Sequence, residues 1–254
     1  MSEQTAIGIL GGMGPQAGID LASKIVAQTK VKRDQDHIPT ILYSDPLVPD
    51  RTHFLLGDST VNPGNEMAKG LLNLERSGAK VAGVACNTAH SALIFDQTLS
   101  QLKEAHSSLE VLHLIDVTVE GIRARHPSAK RIGILGTKGT YHFRLYDDRL
   151  EAAGLLPLRP DTFEHLEEAI YHSDSGIKAC SSPVSDVARQ LVFRSADQVI
   201  QQGAEVVILG CTELPIAVPE ATYKGIPLID PGLFMARALI QAVAPDRLMP
   251  LSVA

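Results

Sequence analysis

Cysteine is scarce in this chain of 254 residues, which contains only Cys86, Cys180 and Cys211. None belongs to a Cys-x-x-Cys pair, so a zinc ribbon and a thioredoxin-type site are not predicted. The odd number and wide spacing also argue against a disulfide framework. An isolated cysteine is most often a small buried hydrophobic residue. A chemical role for any of the three therefore needs a further argument.

Long apolar runs and basic clusters are missing too. No run of about 18 apolar residues occurs, so neither a transmembrane helix nor a membrane partner is expected. The N-terminal sequence MSEQTAIGILGG lacks the basic segment of a signal peptide, which favours a cytoplasmic location. The net charge is −6 and the densest basic segment is only Lys30–Asp34, so nucleic acid is not an expected partner.

Strand-like runs alternate with helical patterns along nearly the whole chain. TAIGILGG is typical of a buried strand, and PQAGIDLASKIVAQT of a helix that begins at Pro15. The other predicted strands are PTILYSD, KVAGVAC, EVLHLID, RIGILGT, LPLRP, EVVILGC and GIPLIDP. The other predicted helices are GNEMAKGLLNLERSG, SALIFDQTLSQLKEAH and LFMARALIQAV. This order predicts an α/β fold of parallel sheets flanked by helices.

The sequence contains an internal repeat. IGILG at Ile7–Gly11 recurs at Ile132–Gly136, which is 125 residues later. SGAKVAGVAC ends at Cys86, and QGAEVVILGC ends at Cys211, again 125 residues later. Because two separate landmarks share one spacing, we predict two similar α/β lobes, each with a cysteine at the end of a strand.

A third echo has a different spacing from the other two. LID occurs at Leu114–Asp116 and again at Leu228–Asp230, a spacing of 114, so the register slips in the later part of each copy. We expect residues 1–110 with about 218–254 to form one lobe. Residues from about 111 to 217 would form the other.

The strand ends predict a reaction class. Ligands of open parallel sheets bind beyond the carboxyl ends of the strands, where Cys86 and Cys211 are expected. The short side chains of Asn87, Thr88 and Thr212 can hydrogen-bond a carboxylate there. If the lobes face each other about a two-fold axis, one sulfur would lie on each side of a substrate carbon. Inverting such a carbon requires a base on one face and an acid on the other.

Several segments resemble the cofactor-independent aspartate racemases of the aspartate/glutamate racemase superfamily. They are GILGGMGP, KRDQDH, PDRT, CNTAH, GTKGT and GCTE. The likeness extends from Ile7 to about Ala238. CNTAH together with GCTE is specific to the superfamily, and PDRT after KRDQDH narrows it towards the aspartate members. The resemblance implies a homodimer with the active site between two lobes, and no pyridoxal phosphate, metal or nucleotide.

The resemblance also implies roles for individual residues. Cys86 and Cys211 would be the acid/base thiols that interconvert L- and D-aspartate. Asn87, Thr88 and Thr212 would hold the α-carboxylate, aided by the backbone near the methionine of GILGGMGP.

The methionine of GILGGMGP is Met13. The resemblance implies that other residues bind the rest of the substrate. Arg51 of PDRT would bind the side-chain carboxylate, a task suited to a bidentate guanidinium. Lys178 would be a second cation for that group, and Thr137 and Thr140 would line the loop of the second lobe. The alternative for Arg51 and Lys178 is a solvated surface position.

The sequence leaves the roles of other residues open. Cys180 has no counterpart in the repeat and is interpreted as incidental. His90 could tune the thiol one helical turn before it or be a structural histidine. Glu213 could orient a neighbouring group or cap a turn. Asp116 and Asp230 each end an apolar run, where N-capping is the ordinary explanation.

Other functions are compatible with parts of the sequence. A glutamate or broad-specificity racemase would use the same scaffold. GMGPQA at Gly12–Ala17 fits the dinucleotide fingerprint of an NAD-dependent reductase, although no acidic residue closes a second strand about 20 positions on. A ligand-binding protein that has lost catalysis would be expected to lack a cysteine. Aspartate racemisation is the function that we predict.

Overall fold

The computed structural model describes residues 5–250, which form two compact units. The described residues up to Val117 and from Gly232 onwards make the first unit, and Thr118–Pro231 make the second. No helix within 5–250 is long and apolar enough to span a membrane.

The first unit contains a four-stranded parallel sheet. Its strands are β1 (Ala6–Gly11), β2 (Thr40–Ser44), β3 (Ala79–Val84) and β4 (Glu110–Leu112). They lie in the order β2-β1-β3-β4. The helices that follow them are α1 (Pro15–Gln28), α2 (Arg51–Leu56), α3 (Gly64–Arg76) and α4 (Ala92–Glu104). Helix α5 (Leu114–Arg125) begins in the first unit and continues into the second.

The core of the first unit forms between its central strand and two helices. Ile7 and Ile9 of β1 are fully buried and pack in one cluster with Leu21 and Ile25 of α1. Because Leu21 and Ile25 are four residues apart, they lie on one face of the helix. Leu239, from a helix near the end of the chain, belongs to the same cluster.

The second unit contains a five-stranded sheet. Its strands are β5 (Arg131–Leu135), β6 (Leu156–Leu158), β7 (Val206–Leu209), β8 (Thr222–Tyr223) and β9 (Ile226–Ile229). Their order is β6-β5-β7-β9-β8, and all pairs are parallel except β8 with β9. Its helices are α6 (Lys138–His142), α7 (Asp147–Ala152), α8 (Glu164–Tyr171), α9 (Asp186–Gln201) and α10 (Leu214–Ala217). Helix α11 (Pro231–Val243) then returns the chain to the first unit.

The strand register confirms the internal repeat. Ile7 of β1 pairs with Val81 of β3, and Ile132 of β5 pairs with Val206 of β7, so both partners are displaced by 125 residues. The strand orders β2-β1-β3-β4 and β6-β5-β7-β9 also correspond. The predicted α/β class with parallel sheets flanked by helices is therefore confirmed.

The two LID segments are not structurally equivalent. Leu114–Asp116 forms the first turn of α5, whereas Leu228 lies in β9. The strand residue that corresponds to Leu228 is Val111, because Val111 pairs with Ala82 of β3 and Leu228 pairs with Val207 of β7. The predicted strand EVLHLID thus ends at Leu112, and Asp116 is inside a helix rather than at its N-cap.

The limits of the units fall later in the chain than the predicted 110 and 217. Strand β4 is hydrogen-bonded to β3 and so belongs to the first sheet. Strand β9 is hydrogen-bonded to β7 and belongs to the second.

Candidate active site

In the first unit, Cys86 lies just beyond the carboxyl end of β3. The backbone N–H of Ala85 still donates to Leu10 of β1 at 2.9 Å, so the thiol is carried on backbone that the sheet holds in place. Cys86 is buried, as are Asn87 and Thr88 after it. A short 3₁₀ turn at Thr88–His90 then leads into α4.

His90 stabilises the turn that follows Cys86. Its Nδ1 lies 2.8 Å from the carbonyl oxygen of Cys86, so this nitrogen carries the proton and donates. The ring stacks on Phe95 and meets His113 edge-on. Burial, with a smaller contribution from His113, lowers the pKa of His90 to about 3. The imidazole is therefore neutral near pH 7. Its hydrogen bond to Cys86 is made to the main-chain carbonyl and not to the thiol.

Arg51 is the first residue of α2, and its guanidinium is held by main-chain carbonyls. Nη1 donates to Val48 and Pro49 at 3.2 and 3.0 Å, and Nη2 donates to Met13 at 3.4 Å. Asp50 caps the helix by accepting a hydrogen bond from the backbone N–H of His53 at 2.8 Å. The fold thus brings Arg51 to the loop after β1, where Met13 is located.

Gly12 fixes the course of that loop. Its φ is +97°, a left-handed conformation that favours glycine. A Cβ atom at this position would lie 2.3 Å from the backbone of Asp45 at the end of β2. The loop that carries Met13 therefore packs directly on the neighbouring strand end.

In the second unit, Cys211 follows β7 and contacts a buried carboxylate. Gly210 donates its backbone N–H to Leu135 of β5 at 2.6 Å, and Cys211 is the next residue. The Sγ of Cys211 donates to Oε2 of Glu213 at 3.0 Å, and the hydroxyl of Thr212 donates to the same oxygen at 3.2 Å. Cys211, Thr212 and Glu213 are all buried.

The electrostatic surroundings of Cys211 favour its neutral form. Burial raises the pKa of the Cys211 thiol well above its usual range, and the carboxylate of Glu213 raises it further. Lys178 acts in the opposite direction. Cys211 is therefore protonated at neutral pH in this arrangement.

Lys178 lies at the same site, ion-paired with Glu213. Its Nζ is 2.6 Å from Oε1 of Glu213 and 5.7 Å from the ring centroid of Tyr171. The sequence alone leaves the role of Glu213 open, and its position two residues after Cys211 is the only local signal. The pairing with Lys178 joins residues 35 positions apart, which no local pattern shows.

Thr137 and Thr140 cap the start of α6. The hydroxyl of Thr137 accepts the backbone N–H of Thr140 at 3.3 Å, and the hydroxyl of Thr140 accepts that of Thr137 at 3.2 Å. The Thr140 hydroxyl also lies 3.5 Å from the carbonyl oxygen of Gly210. These threonines thus join the loop after β5 to the residue that precedes Cys211.

The predicted site residues fall into two groups, one in each unit. The first unit holds Met13, Arg51, Cys86, Asn87 and Thr88, and the second holds Thr137, Thr140, Lys178, Cys211 and Thr212. Cys180 is partly exposed and donates its S–H to the carbonyl of Asp174 at 3.2 Å. Within 5–250, no three His, Cys, Asp or Glu side chains are grouped so that they could hold a metal ion.

Comparison with known proteins identifies the class of this enzyme. Residues 10–239 match the Asp/Glu/Hydantoin racemase family, and the chain belongs to that family. It is therefore an isomerase, an amino-acid racemase. The dinucleotide-dependent reductase suggested by GMGPQA is not retained.

Three relatives illustrate the range of this likeness. The aspartate racemase of Picrophilus torridus is 27% identical, with 94% of both chains covered and a TM-score of 0.78. The broad specificity amino-acid racemase RacX of Bacillus subtilis is 27% identical over 242 residues, which cover 92% of this chain and 96% of that protein. The glutamate racemase of Francisella tularensis, solved with D-glutamate, is 17% identical over 99% of this chain and 85% of that one. Its TM-score of 0.66 shows a shared fold.

Proposed function

We propose that this racemase interconverts L- and D-aspartate, with Cys86 and Cys211 as the acid/base pair. The observation that carries the proposal is the duplicated strand end. In each unit a buried cysteine follows a strand of the repeat, Cys86 after β3 and Cys211 after β7. The strand register relates β3 to β7 by the same 125 residues that separate the two cysteines. The likeness to the aspartate racemase of Picrophilus torridus supports aspartate as the substrate.

The chemistry requires one thiolate and one thiol. The thiolate removes the α-proton of the bound amino acid, and the thiol delivers a proton to the opposite face of the same carbon. Negative charge develops on the α-carboxylate as the proton leaves, and hydrogen-bond donors placed there stabilise it. Asn87, Thr88 and Thr212 are the donors that we assign to this group, and the Thr212 hydroxyl would have to turn away from Glu213 to donate to it.

Arg51 is assigned to the side-chain carboxylate. Its carbonyl contacts hold the guanidinium in a defined place beside Met13, as bidentate carboxylate binding requires. Lys178 would add a second positive charge for that group, although it is ion-paired with Glu213 here. Thr137 and Thr140 would contact the ligand through the loop that they cap. The homodimer and the independence from cofactors stay predictions from the family resemblance, and the cytoplasmic location stays a prediction from the sequence.

Broad specificity is the second candidate, and two observations favour it. The broad specificity racemase RacX matches nearly the full length of this chain. In addition, one of the two cations assigned to the side-chain carboxylate is engaged by Glu213, which weakens the discrimination in favour of dicarboxylic substrates.

Proton exchange in heavy water separates these candidates. Each amino acid is incubated with the enzyme in D₂O, and the loss of its α-proton signal is followed by ¹H NMR. We expect aspartate to exchange far faster than glutamate, alanine or serine. Comparable rates across the panel would establish broad specificity instead. Fastest exchange of glutamate would reassign the substrate, and the Cys86→Ser variant provides the background rate.

A further inference from the structure

Glu213 is a buried carboxylate whose two oxygens contact different partners. Oε1 accepts from the Lys178 ammonium at 2.6 Å, and Oε2 accepts from the Cys211 thiol at 3.0 Å and from the Thr212 hydroxyl at 3.2 Å. A buried carboxylate persists in its charged form only when it is paired and hydrogen-bonded, and both conditions are met here. The charged carboxylate is thereby held in place as the acceptor that orients the Cys211 thiol.

The internal repeat shows that this arrangement is specific to one thiol. The residue 125 positions before Glu213 is Thr88, two residues after Cys86. A hydroxyl thus stands in the first unit where the second has a carboxylate. The Cys211 sulfur donates to that carboxylate, whereas no side chain with a full negative charge occupies the matching position beside Cys86.

We infer that Glu213 is a positioning residue that keeps Cys211 in its S–H form and aims that proton, and that Lys178 limits how strongly it does so. Cys211 is then the proton donor of the resting enzyme, which leaves removal of the α-proton to the other thiol of the proposed pair, Cys86. This division of roles rests on the proposed two-thiol racemisation.

The other titratable groups around Cys211 do not provide this control. Tyr146 packs against Gly210, and burial raises its pKa, so its hydroxyl is neutral. The carboxylate of Asp230 raises the pKa of Tyr146 further. Among the described residues, Glu213 and Lys178 are the charged side chains whose effect on the Cys211 thiol is resolved.

Two substitutions should change the reactivity of Cys211 in opposite directions. Glu213→Gln removes a negative charge, which lowers the pKa of the thiol and increases its thiolate fraction. Lys178→Gln removes the positive charge and has the reverse effect. Removing one neighbouring charge shifts a pKa by about 1–3 units, and a Brønsted coefficient of about 0.5 halves the effect on the alkylation rate. We therefore expect alkylation about 3–30-fold faster in Glu213→Gln and several-fold slower in Lys178→Gln.

Alkylation by iodoacetamide at neutral pH, followed by intact mass, measures this without turnover. Cys86→Ser and Cys180→Ser are combined so that Cys211 is the only cysteine. Glu151→Gln, which removes an exposed carboxylate paired with Arg144, is the matched control and should not change the rate. A loosened site would expose the sulfur and accelerate alkylation in both test variants. Acceleration in both, or an unchanged rate in Glu213→Gln, would overturn the inference.

A pH profile then tests the assignment of Cys211 as the proton donor. In the protein with all three cysteines, the alkaline limb of kcat/KM should move to lower pH in Glu213→Gln, because the donor loses its proton earlier. A uniform fall in kcat/KM with an unmoved limb would refute the assignment. If wild-type enzyme racemised no amino acid, the proposed function would fail, while the alkylation rates would still decide the role of Glu213.

Discussion

Replacing Gly12 by alanine tests whether the loop after β1 must pack against β2. An alanine at φ +97° occupies a left-handed conformation, which costs about 1–2 kcal/mol. The added Cβ would also lie 2.3 Å from the backbone carbonyl atoms of Asp45, which cannot move aside as a flexible side chain would. Overpacking of this kind costs typically about 1–3 kcal/mol. We therefore expect a total destabilisation of about 2–5 kcal/mol.

Gly57→Ala is the matched control, because Gly57 has φ +87° but nothing beyond its chain neighbours lies within 4 Å of the place that an alanine Cβ would take. The free energy of unfolding of this variant should fall only by the cost of the left-handed conformation, about 1–2 kcal/mol. Urea unfolding followed by circular dichroism gives both values. The Gly12 variant should also show a raised KM for aspartate, because its loop carries Met13, whose carbonyl accepts from Arg51. Equal destabilisation of the two variants would refute the packing argument.

Other predictions concern the thiols, substrate choice and pH. Cys86→Ser and Cys211→Ser should each nearly abolish racemisation of aspartate followed by circular dichroism, and near wild-type turnover in either would rule out the two-thiol scheme. Arg51→Leu should reduce kcat/KM for aspartate far more than for alanine, and equal losses would show that Arg51 does not select dicarboxylates. The pKa of His90 is lowered to about 3 in the folded state, so only the unfolded chain binds this proton between that pH and about 6.5. Stability should therefore fall by about 1.4 kcal/mol per pH unit through this window as pH decreases, and His90→Phe should lack that part of the slope in unfolding experiments.

Much of the fold could be predicted because its central strands are fully buried. The segment Ile7–Gly11 and its copy Ile132–Gly136 are continuous apolar runs. The 125-residue spacing between them is also the spacing between their partners in the two sheets. The failure at EVLHLID has a physical reason. Leu114, Ile115 and Ile122 are buried on one face of α5. The apolar residues at the end of EVLHLID therefore belong to the start of a helix and not to the end of a strand.

The candidate site could be predicted only where it depends on local sequence. The apolar runs before Cys86 and Cys211 predict that both follow a strand, and in the structure each lies two residues beyond the end of one. The ion pair of Lys178 with Glu213 could not be predicted, because it depends on how the loop after α8 folds back towards β7. The contacts of Arg51 with main-chain carbonyls likewise depend on tertiary structure, since Met13 is 38 residues away.

The duplication explains why two similar strand ends can perform unlike roles. A racemase needs its two thiols to differ in protonation at any moment, yet a perfect repeat would give both sulfurs the same surroundings. Burial favours a proton on Cys211, and Glu213, which stands where the other copy has Thr88, adds to that preference. Lys178 acts in the opposite direction and offsets part of the effect of Glu213 on the thiol. The ion pair is therefore expected to affect how readily Cys211 gives up its proton.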